Sequence, residues 1–266
     1  MELSEREIEL LRESTRIKFY EGPEIRKRQI VRKEQVPTIE FGRSEIVKAE
    51  HGYAEVLRQI KDRAMQRQPI DREDLKNWQR DIVQEQKQYG MSCHPDGVGR
   101  YRTSSNPLKA LKTNPGAAAA ADVPRLMEDW FVDFFRGATR CMVAPSYYDA
   151  TLVAEVGGTL MRRFEKAAPF AAGNGCLSRV LLTYFCYIVD QPVVVFTIDD
   201  RKRFLRSLSS AKSVQRMIAD KLRAEPRCAC GNIATRVHHL EWMDTYQCGD
   251  CNKIFRLQWN SLRKFT

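Results

Sequence analysis

Two groups of residues in this chain have the types and spacing to do chemistry. The first is Gly173-Asn174-Gly175, a tight turn after which Val180, Leu181, Leu182, Tyr184, Phe185, Ile188 and Val189 read as a helix apolar on most faces, hence buried. A helix that begins at such a turn aims unpaired backbone N–H groups and the positive end of its dipole at whatever lies before it. That suits an anion, most naturally phosphate, and Gly173, Asn174, Gly175 and Arg179 are the residues expected to hold one. An ordinary helix-starting loop is the plain alternative. The second group is Cys228, Cys230, Cys248 and Cys251, two close pairs that flank residues 231–247. This is near the spacing of a zinc ribbon, in which each pair sits on a turn and four thiolates meet at one structural Zn²⁺. The first pair has one intervening residue instead of two. His238 and His239 lie between the pairs, so a Cys3His set is a variant, and two disulfides or four unliganded thiols are the alternatives. Disulfides are rare in a reducing compartment, and about 35 residues bury too little core to fold unaided, which favours zinc. Four good ligands leave no open position, so the metal is read as structural.

These groups need a scaffold, and composition bounds it. The chain has 266 residues and is 43% hydrophobic, with a mean hydropathy of −0.48, enough for one full core and a small second module. It has no run of 18 apolar residues, and its start, M-E-L-S-E-R-E-I-E-L-L, lacks the apolar region of a signal peptide. The expectation is a soluble, intracellular, most simply cytoplasmic protein with no membrane partner. The net charge is +10, and residues 201–266 carry 14 Lys and Arg against 5 Asp and Glu. That asymmetry points the C-terminal part at a polyanion, RNA or DNA in the simplest case.

The pattern along the chain is mainly helical. Residues 2–15 are amphipathic with Leu3, Ile8, Leu10 and Leu11 as the apolar positions, and a basic arm follows from Arg26 to Lys33. Residues 44–60 place Ile46, Val47, Tyr53, Val56, Leu57 and Ile60 inward. Residues 71–90 carry Leu75, Trp78 and Ile82 on one face. The alanine run 117–121 reads equally as a loop or a helix start. Pro124 then opens a helix with Leu126, Met127, Trp130, Phe131, Phe134 and Phe135 buried, and residues 147–166 form the helix that delivers the chain to the glycine turn.

Around that turn, Pro169, Phe170, Gly173-Asn174-Gly175 and Arg179 stand at the spacing of the Fic (Fido) motif, H-P-F-x-D/E-G-N-G-R-x-x-R. Over roughly residues 40–215 the chain resembles that family of AMP-transferring proteins. The resemblance implies a helical core and a β-hairpin flap near Gly99-Arg100-Tyr101-Arg102 that lies along an extended target segment, with Val123–Met127 as a further echo. It also implies where catalysis is missing. Ala168 stands in place of the motif histidine that takes the proton, Ala172 in place of the acid that holds magnesium, and Cys176 in place of the first phosphate-holding arginine. A general base alone is worth about 100 to 10,000-fold, and phosphoryl-type transfer rests on metal and cationic clamps. A thiol of lowered pKa at a helix start is the functional reading of Cys176; a small residue filling an arginine's place is the plain one. In the family, a segment near S-x-I-E-G places an inhibitory glutamate against the second motif arginine. Aligned on Ser44 and Ile46, that position is Val47, so the brake is expected to be missing too.

The sequence therefore predicts a mainly α protein: an N-terminal helix and basic arm (1–40), a Fic-like helical domain with a β-hairpin flap (41–220), and a small β zinc-ribbon module (221–266). The expected function is binding or regulation within a protein or nucleic-acid complex, with ATP or another nucleotide as a possible ligand of the glycine turn and no AMP transfer. The alternative is a transferase with relocated chemistry acting on a protein hydroxyl, for which Glu165 is the nearest carboxylate in sequence.

Overall fold

The structure, a computed structural model, describes residues 3–19, 53–88, 98–104, 116–143, 149–224, 234–240 and 243–258. Its helices are α1 (Glu5–Phe19), α2 (Tyr53–Met65), α3 (Arg72–Gln88), α4 (Val123–Val143), α5 (Asp149–Leu152), α6 (Gly158–Ala167), α7 (Asn174–Ile188), α8 (Arg201–Ser207) and α9 (Ala211–Ala224). Three strands follow, β1 (Ala234–Leu240), β2 (Met243–Cys248) and β3 (Ile254–Gln258).

The helix that starts at the glycine turn, α7, forms the axis of the fold. From Cys176 to Cys186 every side chain on it is buried, polar ones included, as a helix apolar on most faces requires. It packs against α2 and α6, and α1, α3 and α4 also touch it. An aromatic cluster fills the space between α4, α6 and α7: Trp130 lies 5.2 Å from Phe134 and 5.5 Å from Phe164, and Phe134 lies 5.1 Å from Tyr184. The Trp130 indole N–H is satisfied by the Leu160 carbonyl at 3.0 Å, so the large ring is buried at no polar cost.

The helix expected over 147–166 is one rod interrupted by a π turn, Val153–Gly157, between α5 and α6. Close packing explains the glycines there. A Cβ on Gly158 would stand 3.0 Å from the Gln215 backbone, so the absence of a side chain lets α9 lie directly on this rod. On α4, Met127, Trp130, Phe131 and Phe134 are buried as expected, whereas Phe135 is 43% exposed. It sits one position off the core-facing stripe, where an aromatic residue at helical spacing looks alike from sequence.

No β-ladder forms at residues 98–104. That segment runs as coil beside the glycine turn, and the rest of the expected hairpin flap lies outside the described residues. So do the basic arm, Ser44, Ile46 and Val47. The helix expected from 44 is described from Tyr53. Its inward positions Tyr53, Val56, Leu57 and Ile60 are buried, and α1, which carries Ile8, Leu10 and Leu11, shares the same core.

At the C-terminal end the strands form an antiparallel sheet of order β1-β2-β3. Ala234 pairs with Cys248, Tyr246 with Arg236 and Phe255, and a register shift falls between Arg236 and His238. Alternation puts Asp244, Tyr246 and Cys248 on the buried face. Ala234, Tyr246 and Cys248 join the core of the helical body, β3 packs on α5, and Lys253 pairs with Asp190 just beyond α7.

Candidate functional site

The loop from Ala168 to Gly173 is fixed from three sides. Ala168 ends α6 in the left-handed conformation, φ 42°, with its N–H on the Phe164 carbonyl at 2.8 Å. Gly173 takes φ 80°, which favours glycine, and its carbonyl receives the Leu177 N–H at 2.9 Å to open α7. The Asn174 side chain folds back over the turn. It accepts the Phe170 N–H at 3.0 Å and donates to the Phe170 carbonyl at 2.8 Å. The motif asparagine position thus shapes the loop.

Two further side chains hold this loop. Gln79 of α3, fully buried, donates to the Ala172 carbonyl at 3.0 Å and accepts the Gly99 N–H at 2.6 Å. Arg102 donates from its backbone N–H to the Pro169 carbonyl at 2.9 Å. Its guanidinium caps the end of α6 through the carbonyls of Ala168 at 2.7 Å and Ala167 at 3.1 Å, and it also reaches Ala118. Arg102 Nη1 is buried with no hydrogen-bond partner among the described residues, and burial lowers the pKa of this guanidinium. Replacing Gln79 with alanine strands both Ala172 O and Gly99 N–H, at about 1–3 kcal/mol per buried unsatisfied group. The expected readout is faster amide exchange at Gly99 and Arg102, while amides of α7 keep their protection; unchanged exchange at Gly99 would show that Gln79 does not tie this segment down.

The three positions that differ from the motif are now placed. Ala168 and Ala172 are buried and offer neither proton acceptor nor metal ligand, while Cys176 is 1% exposed. Cys176 and Arg179 both turn toward α1. Arg179 Nε donates to Ser14 Oγ at 2.9 Å, and Nη2 donates to the Ser14 carbonyl at 3.1 Å and to Cys176 Sγ at 3.6 Å. The Tyr53 hydroxyl closes the same turn on the Cys176 carbonyl at 3.3 Å. Glu165 is also buried, and its Oε1 accepts a hydrogen bond from Ser178. Arg179 Nη1 and Glu165 Oε1 approach Gly175 closely enough that a Cβ there would lie 3.3 and 3.6 Å from them. Arg179, expected at an anion, is thus a clamp for α1 in this structure.

The rest of α1 is anchored by polar contacts as well. Glu7 accepts from Lys61 Nζ at 2.8 Å, the Tyr187 hydroxyl at 2.7 Å and the Ser4 N–H at 2.6 Å, and Glu13 accepts the Ile198 N–H at 2.9 Å. Burial acts to raise the pKa of Glu7, but the hydrogen bonds from Lys61, Tyr187 and Ser4 outweigh it and leave the group below its ordinary 4.5. A depressed carboxylate adds stability that is present above its unfolded pKa and lost as pH falls through the folded one. Denaturant unfolding followed below about pH 4.5 should therefore show stability falling more steeply in the parent than in Glu7→Gln; parallel curves would remove Glu7 from the acid response.

At the sheet, Cys248 is buried at the end of β2 and Cys251 is exposed in the turn to β3. Asn252 takes φ 54°, and the Cys248 N–H bonds the Lys253 carbonyl at 2.9 Å. Cys228 and Cys230 lie outside the described residues. Among those described, no group of three or more His, Cys, Asp or Glu side chains gathers as a metal site, and Cys141, Cys176, Cys186, Cys248 and Cys251 form no disulfide. No described helix is long and apolar enough to cross a membrane.

Ser14 and Gln79 were not singled out from sequence, yet each had a signal: a polar residue on the apolar stripe of an amphipathic helix, beside Leu10 and Leu11 or between Leu75 and Ile82. Arg102 was expected only as part of the hairpin flap, and nothing in its local pattern marks it as the residue that caps α6.

The sequence matches no protein-family model and no curated protein. Its fold does have relatives among solved structures. A Fic domain-containing signaling protein from Bacteroides thetaiotaomicron VPI-5482 superposes with a TM-score of 0.55 at 15% identity, over 84% of this chain and 83% of that one. At that identity the likeness speaks to architecture alone: the chain has a mainly helical, Fic-like fold.

Proposed function

We propose that this chain is a catalytically silent Fic-fold protein that acts by binding, as a component of a protein or nucleic-acid complex. The observation that carries this reading is the state of the first turn of α7. Methyl groups stand where the motif has its base and its metal acid, and the one remaining motif arginine is hydrogen-bonded to Ser14 of α1. What stays open to an anion is the amide end of the helix at Gly173–Gly175, of which Gly175 alone is partly exposed. ATP or another nucleotide would bind there weakly and without dependence on Mg²⁺. Transfer through Glu165 is disfavoured, because its carboxylate is buried and already occupied by Ser178.

The same reading gives the C-terminal sheet one structural Zn²⁺ held by Cys228, Cys230, Cys248 and Cys251. The described half fits this set. Cys248 and Cys251 bracket the β2–β3 turn, and Ala234, four residues after Cys230, pairs with Cys248. Four residues reach at most about 14 Å, a length that allows Cys230 to meet Cys248 at this end of the sheet. Zinc here would fix two turns and press the sheet on the helices, with no open position for catalysis.

Incubation with labelled ATP, with and without Mg²⁺, should leave the protein and a cell extract unlabelled by AMP. Calorimetry should show nucleotide binding that is weak or absent and unaffected by Mg²⁺. Labelling above background that Glu165→Gln abolishes would establish the transferase reading instead.

A further inference from the structure

The basic excess that the sequence assigns to the C-terminal quarter is not where the ribbon is. Residues 201–224 hold eight Lys and Arg and one acid, Asp220, whereas residues 225–266 hold six against four. The first stretch is the hairpin of α8 and α9, joined by Leu208, Ser209 and Ser210. Phe204, Val214, Met217, Ile218 and Leu222 are buried beneath it. Its outer side exposes Lys202, Arg203, Arg206, Ser209, Lys212 and Arg216. Arg203 pairs with Asp220, and Lys221 with Asp200 at 2.5 Å. Lys202 and Arg206, one turn apart on α8, have no carboxylate partner among the described residues; Arg206 Nε reaches only the Lys202 carbonyl at 3.3 Å.

We propose that this exposed face of the α8–α9 hairpin binds the phosphate backbone of double-stranded nucleic acid. The composition of the face selects that partner. A membrane-surface helix needs apolar side chains among its cations, and single strands are gripped by aromatic stacking; the exposed positions of this hairpin offer neither. Cations and serine hydroxyls are the groups that contact phosphate oxygens irrespective of sequence. The assignment rests on the nucleic-acid branch of the function proposed above, and narrows its contact surface to the hairpin.

The experiment uses the full chain and a mixed-sequence DNA duplex of about two helical turns, with affinity followed by fluorescence anisotropy from about 50 to about 200 mM salt. Affinity should fall steeply with salt. The double variant Lys202→Glu/Arg206→Glu should weaken binding roughly tenfold or more at the low end and flatten the log–log slope by about two contacts, with an unchanged helical spectrum. The control Arg236→Gln/Arg256→Gln on the sheet should bind as the parent does. A second pair, Lys202→Gln/Arg206→Gln, repeats the test without reversing charge. Duplex binding that survives both hairpin variants and is lost in the sheet variant overturns the hairpin and leaves the nucleic-acid function standing. Tighter binding to single strands than to duplex, or equal binding to phosphatidylserine vesicles, overturns duplex selection. No salt-dependent binding to any nucleic acid removes that branch of the function altogether.

Discussion

Chelating the zinc proposed above should unfold the C-terminal sheet while the helices stay folded. The prediction follows from how little else holds the three strands. On the face turned to the helices, the described buried side chains are Ala234, Asp244, Tyr246 and Cys248, far short of an independent core. Structural zinc in small modules contributes an apparent 10–16 kcal/mol, roughly, to folding. Metal analysis should find one zinc per chain, and chelation should release it together with the amide protection of β2. Cys248→Ser should have the same effect without chelator, because Cys248 is both a proposed ligand and fully buried. The helices should keep their spectrum, since α7 packs chiefly on α2 and α6 and the Trp130 cluster is built from α4, α6 and α7. Metal-free protein with protected β2 amides would leave packing on α5 and the Lys253–Asp190 pair as the sheet's only supports.

Much of this architecture was legible because the helices are strongly periodic. Trp78 and Ile82, Trp130 and Phe134, and the mostly apolar stretch after Gly175 each announce a buried face. What the sequence concealed is relational. Arg179 reads as an anion ligand because its spacing from the glycine turn is that of a phosphate clamp; its hydrogen bonds to Ser14 span 165 positions and depend on where α1 docks. Gln79 likewise meets Ala172 and Gly99 only after α3 has packed across the loop. A local pattern fixes which face of a helix is apolar, but not which distant backbone group will use the polar residue set into it.

That docking makes the outcome of restoring the motif unusual. In a site that kept its geometry, Cys176→Arg would return a phosphate ligand. Here it should instead destabilise the protein by about 3 kcal/mol or more, with or without Ala168→His and Ala172→Asp beside it. Position 176 is 1% exposed, its Sγ lies 4.0 Å from the Ser14 carbonyl, and Arg179 Nη2 is 3.6 Å away. A second guanidinium in that space adds bulk to a packed contact and a like charge next to a buried one. The strain has one outlet, the separation of α1 from α7. Denaturant unfolding should show the loss of stability, and limited proteolysis should show early cleavage within Glu5–Phe19. Cys176→Ala, which removes only the thiol, should cost much less and leave α1 protected. A Cys176→Arg protein as stable as its parent, with α1 resistant to protease, would mean that the first turn of α7 still has room for a second arginine. The clamp on Arg179 would then be too loose to keep a phosphate out.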